Sequence, residues 1–210
     1  MQSMYELVPP GPGLRTALAG LYALDPDFLA IEAEAGPLTV LTLPPSFAAL
    51  VRIIVGQQLS TAVARAIFER LRQSVSLEPA ALLEASDETL KAAGLSRAKI
   101  ACCRAAAAAL AEGHLDLEAC RSLDQAQVMA ALTAIKGIGP WTAEIFMLFA
   151  LERYDVFPAG DLALQRAYAW LKHLEQAPDA RQLGQAVSGL TPYRGAAAYL
   201  LWHFYRSKKS

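Results

Sequence analysis

Two features of the chain have the residue types and spacing for chemistry. The first is Gly137-Ile138-Gly139-Pro140, where two glycines bracket one apolar residue and a proline follows. Proline suits the first position of a helix, and the run Trp141 to Leu151 behind it contains no further breaker. A helix starting there aims unpaired backbone N–H groups, and the positive end of its dipole, back over the glycines. Such an end can hold a phosphate without any lysine, and Lys136 stands beside it. The second feature is Asp161, at the mouth of a helix predicted over Leu162 to Leu174. A carboxylate so placed can steady a developing positive charge or orient a water. Each feature also has a plainer reading: two glycines can separate helices in any all-α protein, and aspartate is a favoured N-cap.

The elements that must position these residues read as short helices. Val128, Leu132 and Ile135 repeat at helical spacing, so one helix ends near Lys136 and the next opens at Pro140. Upstream, Leu14 to Leu24 predicts a helix, Asp25-Pro26-Asp27 starts a short one, and Leu38 to Leu43 alternates like a short strand or extended segment. Ser46 can cap a helix over Phe47 to Val55, and Ser60 a second one carrying Val63, Ile67 and Leu71. Between Glu78 and Ala130, Pro79, Ser86-Asp87, Ser96 and Asp124 are start signals, while Gly94 and Gly113 are stops. The alanines from Ala101 to Ala109 predict close helix packing. Thr191-Pro192-Tyr193-Arg194-Gly195 leads into a last helix, Ala196 to Arg206, on which Tyr199, Trp202 and His203 are neighbours.

Composition narrows the class. In 210 residues, 54% are hydrophobic, yet no run has the length a membrane helix needs. Met1 to Tyr5 is too polar to open a signal peptide, so the expected location is cytoplasmic, or nuclear in a eukaryote. Cys102, Cys103 and Cys120 supply neither a disulfide framework nor four cluster ligands, and buried thiols are expected. His114 and His173 lack metal-ligand spacing and read as surface residues; no metal ligand is predicted. A net charge of −1 and a pI of about 6.3 argue against a generic nucleic-acid coat, though one face can still be basic. Candidates for that face are Arg97, Lys99, Arg104, Lys136, Arg194, Arg206, Lys208 and Lys209, with Lys136 the strongest.

The string K-G-I-G-P-W-T-A followed by V-F-P-A-G-D resembles the helix-hairpin-helix DNA glycosylases, and within them the 3-methyladenine DNA glycosylase II (AlkA) type. I-V-G-Q-Q-L-S at Ile54 to Ser60, A-A-G-L-S-R-A-K at Ala92 to Lys99, and P-Y-R-G at Pro192 to Gly195 are similar to further segments of that family. The resemblance runs from about Phe47 to Arg206. It implies an all-α fold of two helical lobes with a cleft between them. Residues 1–55 plus 155–210 would form one lobe, and residues 56–154 the other, ending in the helix-hairpin-helix at about 125–151. Forty-odd N-terminal residues cannot hold the β-rich domain of the longer bacterial members.

The same resemblance implies roles. Asp161 would be the catalytic carboxylate, with Trp141, Tyr193 and Trp202 around the base. Gln58 or Leu59, with Gln57 beside them, would be the wedge that enters the duplex from the minor groove. Lys136, Gly137, Gly139 and Thr142 would hold the DNA backbone, and family members often place a monovalent cation against the hairpin carbonyls; no other cofactor is expected. The partner would be double-stranded DNA with alkylated bases, bound by a monomer. A lysine at the position of Trp141 serves the lyase branches as an amine nucleophile, and an indole cannot form a Schiff base, so a monofunctional hydrolase is expected. Gly160 stands where many relatives have a second acid, and Ile145 where some have an aromatic, which bears on substrate range. Two other functions share these motifs: a glycosylase for another damaged or mismatched base, and a non-catalytic helix-hairpin-helix DNA-binding protein.

Overall fold

The structure, a computed structural model, describes residues 6–209. Met1 to Tyr5, read above as too polar for a leader, lie outside them. The described chain is all-α, its one trace of sheet being an antiparallel bridge in which Val8 and Val40 exchange hydrogen bonds of 2.9 and 2.8 Å. The predicted strand therefore reduces to an extended segment, in which Leu38, Val40 and Leu43 face the core at every second or third position.

Two compact units divide the chain: one joins the residues up to Thr42 with those from Glu152 onward, and the other spans Leu43–Leu151. The first begins with α1 (Pro12–Leu24), a 3₁₀ turn at Pro26–Phe28 capped by Asp25, and α2 (Leu29–Ala35). The second holds α3 (Phe47–Gly56), α4 (Thr61–Ser74), α5 (Pro79–Glu84), α6 (Asp87–Ala92), α7 (Arg97–Ala111), α8 (Gln125–Thr133) and α9 (Pro140–Leu151). The start signals hold: Ser46, Ser60, Ser86, Ser96 and Asp124 each accept a backbone N–H of the helix they precede.

The unit boundary falls at Leu43, ahead of the division at residue 55 expected from the sequence. The cause is α3, which is apolar on nearly every side: Ala49, Leu50, Val51, Ile54 and Val55 are all fully buried. A helix without a polar face must be surrounded, and α3 packs on α4, α7 and α9. With each such large side chain contributing on the order of 2 kcal/mol, α3 is committed to the middle unit. Leu43 N–H donates to Phe149 O at 2.8 Å and secures the segment leading into α3.

The terminal unit closes with α10 (Leu162–Leu171), α11 (Ala180–Ala186) and α12 (Arg194–Ser207). α10 stops three residues short of the predicted Leu174. His173 takes a left-handed φ of 52°, and Leu174 N–H returns to Ala169 O at 2.9 Å, a Schellman stop made without glycine. α12 is the core of this unit. Ala196, Ala197 and Ala198 are consecutive and fully buried, and their small side chains let α1, α2 and α10 close around it. Among the described residues no helix is long and apolar enough to cross a membrane, and no cluster of His, Cys, Asp or Glu could hold a metal ion. All three cysteines are buried free thiols, and burial raises Cys102 to about 11 and Cys103 to about 12.

Candidate functional site

The hairpin belongs to the middle unit. α8 ends at Thr133, the chain turns through Lys136 to Gly139, and α9 opens on Pro140. Gly137 needs to be glycine for two reasons. Its φ is +96°, and an added Cβ would lie 2.8 Å from Cys102 Cβ and 2.9 Å from Cys102 Sγ. Gly139 has open space around it, and Ala143 N–H closes the first turn onto Gly139 O at 3.2 Å. Lys136 is exposed beside these glycines. Trp141 sits half-buried in the first turn of α9.

Thr142, predicted to touch the DNA backbone, is instead 2% exposed, and its Oγ1 accepts from Gln57 Nε2 at 2.9 Å. The same Gln57 amide donates to Gly137 O at 3.2 Å. Gln57, grouped above with the wedge, is thus turned into the protein and its side chain engages the hairpin. Its neighbours face outward: Gln58 is exposed with a left-handed φ of 56°, and Leu59 is 38% exposed. Lys99 Nζ donates to Val55 O at 2.7 Å and ties the end of α3, just before this loop, to α7.

Lys99 therefore leaves the predicted basic face; burial lowers its pKa, as suits an ammonium held among helices. Arg104 leaves it too, donating to Ala85 O at 2.8 Å and pairing with Asp87 at 2.6 Å, which joins α7 to α5 and α6. Arg194 is engaged by both oxygens of Asp155 at 2.8 Å, and that pairing raises its pKa. Arg206 reaches Thr39 O at 3.1 Å, Lys208 pairs with Glu34, and Lys209 lies over the Tyr205 ring at 4.9 Å. Arg97 and Lys136 remain as exposed cations without a partner among the described residues. A count of positive residues could not separate cations that brace helices from cations that face solvent.

The terminal unit carries the carboxylate. Asp161 is the N-cap of α10, and its Oδ1 accepts from Ala163 N–H at 2.8 Å and Leu164 N–H at 3.2 Å. The cap fixes the orientation of a half-buried carboxylate. Tyr193 lies directly before α12, and its ring rests on Gly20 of α1, where an added Cβ would come within 2.2 Å of the ring. Gly195 N–H donates to Tyr154 O at 2.6 Å, and the Arg194–Asp155 pair lies beside it. Together these tie the entry of α12, with Tyr193, to the segment that leads to Asp161.

Trp202 stands nine residues beyond Tyr193, about 13 Å by helical rise, and its ring packs edge-on against Tyr199 at 6.2 Å. His203, its neighbour, bonds Gly36 O at 3.0 Å. Tyr154, which the sequence reading passed over, is lodged against Gly13 with its ring 3.0 Å from the position of a Cβ there. Burial, then the charge of Glu152 and a hydrogen bond to it, raises its pKa to about 12. Burial raises Tyr199 in the same direction. On α9, burial alone pushes the Glu144 carboxyl up to about 7.

Known proteins are similar to this chain in sequence and in fold. A Schizosaccharomyces pombe protein named DNA-3-methyladenine glycosylase 1 is 34% identical over 73% of this chain and 69% of its own length. The structure of the S. pombe 3-methyladenine DNA glycosylase Mag1 in complex with abasic DNA superposes with a TM-score of 0.83 at 30% identity, covering 89% of this chain and 95% of that one. A DNA-3-methyladenine glycosidase from Bacillus halodurans superposes with a TM-score of 0.74 at 35% identity, covering 94% and 91%. The S. pombe alkylbase DNA glycosidase-like protein mag2 is 26% identical over 87% of this chain and 89% of its own. The glycine hairpin, the outward loop after α3 and the capping aspartate all lie within residues 51–192, which match the HhH-GPD superfamily of base excision DNA repair proteins, and the chain belongs to that family.

Proposed function

We propose that this protein is a base excision repair glycosylase that hydrolyses the bond between deoxyribose and an alkylated base such as 3-methyladenine or 7-methylguanine. The observation that carries the enzymatic role is the Asp161 carboxylate, held in one orientation by two N–H groups of α10. Its relatives' names, 3-methyladenine glycosylases in two organisms, support the substrate class.

Alkylation at purine N3 or N7 leaves the base cationic, so its bond to C1′ is already weak and the leaving group needs little acid. The enzyme must recognise an electron-poor ring and stabilise positive charge on the sugar. The hairpin N–H groups around Gly137 and Gly139, with Lys136, grip a phosphate. Gln58 or Leu59 enters from the minor groove and fills the space of the extruded nucleotide, whose unstacking costs a few kcal/mol and least at damaged pairs. Each aromatic face presented to a cationic base, Tyr193 first among them, is worth about 0.5–2 kcal/mol.

As the C1′–N bond breaks, its electron pair leaves with the base and neutralises it. The positive charge moves to the sugar, opposite Asp161, an interaction typically worth roughly 3–4 kcal/mol in a preorganised site. Water oriented by Asp161 then adds to C1′ and passes its proton by way of that carboxylate to solvent, leaving an abasic site. Trp141 has no amine to attack the sugar, so no strand break accompanies release.

We also propose a monovalent cation at the hairpin. Backbone oxygens are the donors available there, and carbonyls suit such an ion. Ile135 O accepts Ile138 N–H at 3.0 Å and Gly137 O accepts Gln57, each keeping a second lone pair. No chemical step passes through it. In this scheme the protein scans DNA as a monomer.

The test is to incubate randomly methylated duplex DNA with the protein and identify the free bases. Release of 3-methyladenine or 7-methylguanine is expected, and a strand nick without added base would contradict a monofunctional hydrolase. Asp161→Asn keeps a good N-cap while removing the charge. It should retain DNA binding and lose release by a factor on the order of 100 to 1,000; full turnover would remove Asp161 from the mechanism.

A further inference from the structure

We infer that Gln57 is a positioning residue that fastens the DNA wedge to the phosphate-gripping hairpin. Through it, docking of the backbone and insertion of the plug act as one event. The inference rests on the repair function proposed above and adds to it a residue that touches neither base nor phosphate.

Gln57 is the cap residue of α3, and the exposed Gln58 and Leu59 follow it directly. Both hydrogens of its carboxamide are accounted for, one on Gly137 O at 3.2 Å and one on Thr142 Oγ1 at 2.9 Å. These acceptors flank the hairpin turn: Gly137 is its left-handed residue, and Thr142 lies in the first turn of α9. Thr142 is also the one buried polar residue of the described core, so its hydroxyl sits in a rigid wall and not on a mobile surface. The other end of the loop is marked by Ser60, whose Oγ caps α4 by accepting from Val63 N–H at 3.4 Å. Lys99 secures the Val55 carbonyl near the end of α3.

The wedge residues are thus suspended between two fixed points, one of which is the hairpin itself. Gln58 holds a left-handed φ of 56° without being glycine, a conformation that persists only where the surroundings over-determine it. The tether is what over-determines it. A loop already ordered in the free protein spares the complex the cost of ordering it on DNA.

The test compares affinity for intact duplex with affinity for duplex carrying an abasic-site analogue, using 2-aminopurine opposite the gap to report its filling. Gln57→Ala should leave intact-duplex binding within about twofold and lower the preference for the abasic duplex about tenfold, the loss of one to two net hydrogen bonds. The 2-aminopurine signal should fall with it. In a Gln58→Ala/Leu59→Ala background, which has no plug to position, Gln57→Ala should change nothing further. Should Gln57→Ala not fold, Gln57→Met keeps the volume, removes the donors and should give the same pattern.

An equal loss on both duplexes would mean that Gln57 merely supports the hairpin, and would overturn the inference. So would an unchanged preference, or a tenfold loss that persists without the plug. No bond is broken in these measurements. A wild-type chain that released no base would therefore sink the enzymatic proposal and leave this one standing on its own result.

Discussion

Gly20→Ala tests whether the Tyr193 ring is held for use or is only packing. The new Cβ would lie 2.2, 2.3 and 2.8 Å from three ring carbons of Tyr193. Carbon atoms in ordinary contact sit about 3.5–4.0 Å apart, so the ring must retreat by roughly 1.5 Å. The backbone of Tyr193 cannot follow, because Gly195 N–H is bonded to Tyr154 O and Arg194 is clamped by Asp155. The ring must therefore turn out of its seat. Two terms oppose each other in stability: alanine gains about 0.8–1 kcal/mol over glycine within a helix, while crowding a packed site costs about 1–3 kcal/mol. Crowding wins narrowly, and the variant should lose no more than about 2 kcal/mol. Base release should suffer more distinctly. Losing a cation–π partner that holds the still-cationic base, worth about 0.5–2 kcal/mol, weakens its binding and so slows release of 3-methyladenine at sub-saturating enzyme by about 2- to 30-fold. The double-mutant cycle decides the cause. In a Tyr193→Ala background no ring remains to displace, so Gly20→Ala should there stabilise the fold by about 1 kcal/mol and leave release unchanged. An equal slowing in both backgrounds would show that Gly20 acts through something other than Tyr193. Unchanged release in the wild-type background would show that Tyr193 is packing alone.

Three other perturbations bear on the remaining parts. Lys136→Ala should weaken binding to any duplex and reduce the salt slope of log K by about 1; an unchanged slope in a salt titration would remove Lys136 from the phosphate contacts. Gly137→Ala must strain both the left-handed backbone and the contact with Cys102, so thermal melting should show a loss of about 2–4 kcal/mol. A melting curve matching wild type would mean the turn relaxes freely. Glu144, raised to about 7 from 4.5, binds its proton more tightly folded than unfolded, so it costs stability as pH rises through that interval. Glu144→Gln should therefore melt above wild type at pH 8, by about 1–2 kcal/mol after allowing for the water that reaches the carboxyl. The gap should close near pH 4, and a gap independent of pH would assign it to packing.

What could be read from the sequence was what has a local cause. Ser46, Ser60, Ser86, Ser96 and Asp124 announce their helices because a cap bonds a backbone N–H only a few residues on. Pro140 and the glycines of the turn do the same for the hairpin. α10 was overextended because its stop places a left-handed φ on His173, and histidine carries no signal for that as glycine would. The unit boundary was missed for a different reason. α3 looks like an ordinary apolar helix in either lobe, and only its neighbours α7 and α9, far along the chain, decide which unit surrounds it.

The candidate site divides along the same line. Gly137, Gly139, Lys136 and Asp161 stand in short motifs, which a linear reading can pick out. Gln57, Lys99, Arg194 and Gly20 support them through partners that lie far away in sequence: Gln57 bonds residues 80 and 85 positions on, and Arg194 one 39 positions back. Nothing in a linear pattern distinguishes a glutamine aimed at DNA from one aimed at a carbonyl in its own fold, so Gln57 was placed with the wedge and Lys99 with the basic face. The consequence for mutation is specific. Replacing a residue of the first group should act on the part that residue itself forms, whereas replacing Gln57 should keep the grip on intact duplex and weaken the filling of the gap by residues that are themselves unchanged.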